Sequence, residues 1–301
     1  GVGREETISF YRRFLMKDGT VRFNPGKLNP AIVQPMGSID PDVAVVLFES
    51  PDGAPRAAAV NFALHLDTVG GAQYSADYPH TLAKLLGKVY AADMLTLFTI
   101  GAAGNINHVD VKTKAPQKGH AEARRIGTIL AGEVIKTLAR AEEVLPGPLR
   151  ARSEVVSLPL PAFSAAEVEK ARLTAAQFGK PGGPAFLDMV HALKVADVAE
   201  RQGRAWEAEV QVITLGDRVA WVGLPGEIFV ELGTAIKKAS LFPVTVIVEL
   251  ANGSISYVPT KKAFSEGAYE VISARCAPGC GEALADTAIS LLAELHRATR
   301  P

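Results

Sequence analysis

The sequence is short of most features that place a chain quickly. It has two cysteines in 301 residues, so a zinc site built from four cysteines of this chain is excluded. Neither charge is in excess: Lys plus Arg and Asp plus Glu number 32 each. That balance gives no electrostatic reason to expect nucleic acid or an anionic membrane as partner. The longest apolar runs, VAVVLF at 43–48 and VTVIV at 244–248, fall far short of the ~20 residues of a transmembrane segment. GxGxxG and Walker patterns are missing, so the glycines carry no nucleotide signature. GxSxG is missing too, which removes the simplest serine-hydrolase reading. No internal repeat or low-complexity segment occurs. The opening GVGREETISF has neither a Met nor the apolar core of a signal peptide. The expectation is that something upstream was removed, or that the sequence starts inside a longer protein.

What is present is a globular composition, 48% apolar and 21% charged, long enough for one large α/β domain or two ordinary ones. Residues 1–50 read as extended segments punctuated by turns. A buried strand is expected over 57–67, a short helix over 79–88 and a second buried strand over 94–100. Helical periodicity covers 118–143 and stops at LPGPL, 145–149. A strand follows over 153–161. Two polar helices, 164–178 and 185–203, make 163–204 a helical surface insertion. Alternation over 207–216 and 217–224, with a turn at Gly216-Asp217, predicts a hairpin. A helix over 227–240, a strand over 244–250, a loop over 252–260 and a closing helix over 281–297 complete the chain. Cys276 and Cys280 in CAPGC fit a tight disulfide, half a metal site, or two free thiols. Apolar strands alternating with helices predict one layered α/β domain, 1–301, around a mostly buried mixed sheet flanked by helices.

In such sheets ligands bind beyond the carboxyl ends of the strands. Strand 57–65 ends in His65 and Asp67, and strand 94–100 ends in GAAGNINH. Strand 218–224 ends in PGE with Glu227, and strand 244–250 ends in NGSISY. If these strands are parallel neighbours, an imidazole, a carboxylate, amides and a phenol converge, which is an incomplete zinc shell. Each piece also has a plainer reading. His65 could be a hydrogen-bonded structural residue, Glu227 a helix-opening residue, and Tyr257 and Tyr269 packing residues. GAAG alone is a close-packed turn.

Taken in order, these segments resemble the catalytic domain of the neutral/alkaline (non-lysosomal) ceramidases, zinc-dependent amidases. The matching stretches are VNFALHLDT (60–68), SADYPH (75–80), FTIGAAGNINH (98–108), LPGEIFVELG (224–233) and NGSISYVPTKKAFSEGAYE (252–270). YRRF (11–14) and SIDPDVAVVLFE (38–49) are similar to further family segments. The resemblance implies one zinc ion, with His65, Glu227 and Tyr257 as ligands and Tyr269 supporting the oxyanion. Gly104, Asn105 and Asp77 would lie on the substrate-facing wall, with Asn107 and His108 in the catalytic loop.

Two departures shape the expectation. The family carries a catalytic Ser where this chain has Asn107, and an amide is no nucleophile. Asn107 would instead orient substrate or donate to the oxyanion, leaving attack to a zinc-bound water, or the activity has been lost. The family also supplies a second zinc histidine from upstream, and no His precedes His65. A missing N-terminal segment or a second chain is expected to provide it, with His108 as substitute. The reading is therefore a metal-dependent hydrolase of a small-molecule amide. An ester, lactone or lactam hydrolase is the neighbouring alternative, and a non-catalytic binding protein on the same scaffold is the alternative of another class. Oligomeric state and localisation stay open, with export expected if a signal was removed.

Overall fold

The computed structural model describes residues 1–144 and 147–298. The first hundred residues give β1 (Val2–Arg4), β2 (Phe10–Tyr11), β3 (Arg13–Met16), β4 (Val21–Phe23), β5 (Ile32–Pro35), β6 (Asp42–Glu49), β7 (Pro55–Phe62), α1 (Asp77–Val89) and β8 (Leu95–Ile100). There follow β9 (Ile106–Asn107), α2 (His120–Leu138), β10 (Leu149–Leu158), α3 (Ala165–Ala175), α4 (Phe186–Glu200), β11 (Trp206–Leu215) and β12 (Val219–Gly223). The chain closes with β13 (Glu227–Ile228), α5 (Val230–Ala239), β14 (Val244–Val248), β15 (Tyr257–Val258), α6 (Lys261–Glu266), α7 (Tyr269–Ser273) and α8 (Cys280–Arg297).

The mixed α/β architecture is the expected one, but its main sheet comes in two halves. One has the order β1-β6-β7-β8 and the other β10-β11-β12-β14. Each half contains one parallel pair, β7 with β8 and β12 with β14. Each parallel pair is joined through a helix, α1 or α5, as a parallel connection requires. Along β11 the buried side chains are Ala208, Val210, Val212 and Thr214, the period of two that marks a half-buried strand. In α2 the buried Ile126, Leu130 and Val134 recur every four residues and face the first sheet. The apolar residues form two main clusters, one around β7, α1 and α2 and one around β12, α5 and α8.

The halves meet at β8 and β14. The Glu249 amide donates to Ile100 O (3.0 Å), and Asn61 Nδ2 reaches from β7 to Ile247 O (2.8 Å). The carboxyl ends of β7, β8, β12 and β14 therefore open on one region, as the parallel reading required.

Several local expectations change. The strand expected to run to residue 67 ends at Phe62, where the Leu64 and Gly101 amides both turn to Phe62 O. His65 and Asp67 thus stand on a loop beyond the sheet. The helix expected from Glu227 begins at Val230, because the Glu227 amide donates across to Ser256 O in a parallel bridge. Helix α2 stops at Leu138, and Leu145 and Pro146 of the expected stop signal lie outside the described residues. Cys276 and Cys280 are both free, buried thiols.

The 163–204 segment is a helical pair with a small core of its own, Ala171, Ala192 and Val195. It is also seated on the α7 region: Asp197 pairs with Arg275, and Phe186 stacks on Tyr269 with centroids 5.6 Å apart. Among the described residues no helix is long and apolar enough to cross a membrane.

Candidate metal centre

Glu227 and Tyr257 become neighbours because β13 and β15 pair in parallel with Glu227 opposite Tyr257. Two glycines permit the approach. A Cβ on Gly226 would lie 2.8 Å from Ser256 O, and one on Gly104 would lie 2.4 Å from Glu227 O. Gly104 lets the 101–105 loop run directly against the backbone of Glu227, where its amide donates to Ile228 O (2.7 Å). The loop after β7 then delivers His65 to the same point.

His65 Nε2 lies 2.9 Å from Glu227 Oε2 and 3.4 Å from the Tyr257 hydroxyl. Glu227 is also hydrogen-bonded to Tyr257. Burial works against the Glu227 charge, but the hydrogen bonds from His65 and Tyr257 outweigh it and lower its pKa. Burial, followed by the charge of Glu227, pushes the Tyr257 phenol up despite the nearby Arg12. His65 Nδ1 is buried without a hydrogen-bond partner.

These three donors fit zinc. Ligands of a tetrahedral shell with bonds of about 2.0–2.1 Å stand about 3.3 Å apart, close to the observed separations. Among the described residues, His, Cys, Asp and Glu do not gather in threes at metal-holding distance; the third polar group beside His65 and Glu227 is the Tyr257 phenol.

Behind the triad lies a residue that sequence reasoning passed over, Arg12. It is 4% exposed, donates from Nε to Glu270 (2.8 Å) and from Nη2 to Gly104 O (2.9 Å). Its guanidinium stands 5.2 Å from the Tyr257 ring centroid and 5.9 Å from that of Tyr269. Burial opposes its charge, yet Glu270 and Tyr257 more than compensate and raise its pKa. The YRRF segment carried the signal, although nothing in it distinguishes a site residue from a surface pair of arginines. Tyr269 is half-buried, edge-on to Tyr257 (5.4 Å) and close to Phe23 (4.7 Å).

Glu249 was also passed over, as the end of an apolar strand. Its Oε2 accepts from the amides of Ala103 (3.1 Å) and Ile228 (2.8 Å), tying the 101–105 loop to the segment bearing Glu227. Full burial raises its pKa well above the usual carboxyl range, beyond what the two amides recover.

The remaining expected site residues do not join the triad. Asn105 is fully buried and donates to Tyr11 and Glu231 while accepting from the Val230 amide. Asn107 donates to Asn24 and accepts from the Val109 amide, and is 1% exposed. His108 bonds Asp67 through Nδ1 (3.0 Å) and Gln117 O through Nε2 (2.8 Å), leaving neither nitrogen free for a metal. Asp77 is buried, accepting from the Val69 and Tyr78 amides. Their polar groups hold loops in place; the sequence reading has Asn105 and Asp77 on the substrate-facing wall and Asn107 and His108 in the catalytic loop.

No family model matches the chain, and no curated protein matches it in sequence. In structure it is similar to a neutral ceramidase from Pseudomonas aeruginosa, with a TM-score of 0.70 at 20% identity over 99% of this chain and 52% of that one. It is similar as well to a structure described as ceramidase complexed with C2, with a TM-score of 0.68 at 18% identity over 99% of this chain and 53% of that one. The chain thus has the fold of the neutral ceramidases and spans about half the length of the solved chains it matches.

Proposed function

We propose that this protein is a zinc-dependent hydrolase of an amide bond in a small molecule. The observation that carries the reading is the convergence of Glu227 Oε2 and the Tyr257 hydroxyl on His65 Nε2, at 2.9 and 3.4 Å, separations like those between ligands of one tetrahedral ion. The ceramidase fold supports it, since the two matched structures are ceramidases. The fourth position is left to water, or to the histidine from an upstream segment or second chain that the family resemblance implies.

Zinc bound there would polarise the amide carbonyl and acidify a water molecule. The chain's own residues do the rest. Glu227, ionised by its surroundings, balances the charge of the ion. Arg12 stays protonated and lies against both tyrosine rings, fixing their orientation and opposing the rise in the Tyr257 pKa. Tyr269, edge-on to Tyr257, donates to the oxygen on which charge develops. Asn107 offers no nucleophile, and its amide is engaged by Asn24 and Val109, so attack falls to water.

Metal content and turnover of the full protein test this. His65→Ala and Glu227→Ala should each remove zinc and activity on small N-acyl amides. Tyr269→Phe should keep zinc yet lose roughly 10²–10³ in turnover, the usual effect of deleting an oxyanion donor. Wild-type protein holding less than about a tenth of an equivalent of zinc, with no thermal stabilisation by added zinc, would sink the proposal.

A further inference from the structure

On the opposite side of the first sheet's helical layer, α1 and α2 pack closely: a Cβ on Gly127 of α2 would lie 2.4 Å from Tyr78 O of α1. Their outer faces diverge into a groove of about 550 Å³. His80, Lys84 and Lys88 line it from α1, and His120 and Arg124 from α2. The α1 residues recur at four-residue intervals and so form one row about 12 Å long.

Among the described residues none of these five side chains has an ion-pair partner. Asp77 is the single acid on the lining, and its two oxygens are taken by the Val69 and Tyr78 amides. The imbalance is local, because the whole chain is neutral with 32 charges of each sign. One residue beyond Arg124, Arg125 does find an acid, Glu122, at 2.6 Å. Like charges four apart on a helix repel, and here three permanent cations share one concavity with a single carboxylate, Asp77.

We propose that the α1–α2 groove binds a small polyanion bearing two or more phosphate groups. The volume suits a small molecule, and three fixed positive charges match a compact di- or trianion. A neutral chain with a 12 Å basic row lacks the extended stripe that tracks nucleic acid. The groove also borders the loops of the candidate metal centre. Ser75 and Asp77 end the loop that leaves His65, His120 ends the one that leaves His108, and the Gly119 amide joins them through Thr68 O (2.7 Å). A bound polyanion therefore stiffens both loops, whatever reaction the metal centre performs.

Inorganic triphosphate is the probe, titrated calorimetrically into the full protein and scored by thermal shift. It should bind and raise the melting temperature, and Lys84→Gln with Arg124→Gln should weaken binding at least tenfold while leaving zinc content unchanged. A control pair away from the groove, Lys17→Gln with Lys238→Gln, should bind as the wild type does. A parallel arm uses vesicles of phosphatidic acid in phosphatidylcholine. Capture of the protein there, competed by triphosphate, assigns the phosphate to a lipid headgroup, and binding of triphosphate alone assigns it to a soluble ligand. No heat and no thermal shift up to about 10 mM triphosphate, a strength below any specific site, overturns the proposal. Equal weakening in the groove and control pairs overturns it too.

Discussion

Both ring nitrogens of His108 face acceptors, the Asp67 carboxylate and Gln117 O, so both must carry protons. Burial disfavours that charge, but the hydrogen bond and charge of Asp67, helped by Gln117, outweigh it and raise the pKa. A group with a raised folded pKa contributes stability that is complete below its unfolded value, about 6.5, and is lost as pH climbs through the folded one. Melting temperatures from pH 6 to 8.5 should therefore fall more steeply for the wild type than for His108→Gln, and parallel profiles would contradict the imidazolium. The same residue marks the limit of sequence reading. The polar run 105–110 was legible as unusual, but Asn105 finds Glu231 and Asn107 finds Asn24, partners 126 and 83 residues away. Residue type and loop position do not encode such distant pairings. His65, by contrast, stood out in the sequence as a lone imidazole closing an apolar run, although the strand itself stops at Phe62.

At the scale of elements, the least legible features are the shortest. β13 and β15 have two residues each, too few for any periodicity, and Glu227 followed by apolar residues looks like the start of a helix. Yet their parallel bridge is what sets Glu227 beside Tyr257. The helical pair α3 and α4 was legible as a pair of helices from its spacing, though its seating was not, since Phe186 gives no sign in sequence that it meets Tyr269. That contact makes α4 part of the wall around the proposed oxyanion donor. Phe186→Ala should leave zinc binding unchanged and lower kcat/KM on an amide substrate by up to about tenfold, in line with an aromatic pair worth about 0.5–1.5 kcal/mol. An unaltered kcat/KM would make the helical pair a bystander to the reaction.

For the whole molecule, alternating strands and helices revealed the α/β class, and two βαβ crossovers deliver it. The division into two half-sheets escaped notice because each half is patterned like any other sheet, and the join is made by particular groups. Asn61 is the clearest of these, donating to Thr99 O, Thr99 Oγ1 and Ile247 O at 3.2, 2.9 and 2.8 Å. Glu249 reinforces the join from the second half through its amide and its carboxyl. Because His65 comes from one half and Glu227 and Tyr257 from the other, the candidate centre exists only while the halves stay joined. Asn61→Ala leaves a buried carbonyl without its side-chain donor, a loss of about 1–3 kcal/mol and several degrees in melting temperature. Both tryptophans, Trp206 and Trp221, lie in the second half, so fluorescence follows that half while circular dichroism follows both. The two signals should melt together in the wild type and, at a lower temperature, in Asn61→Ala. A dichroism transition that runs ahead of fluorescence in the wild type would mean the halves unfold separately, and a centre shared between them could not be held by this join.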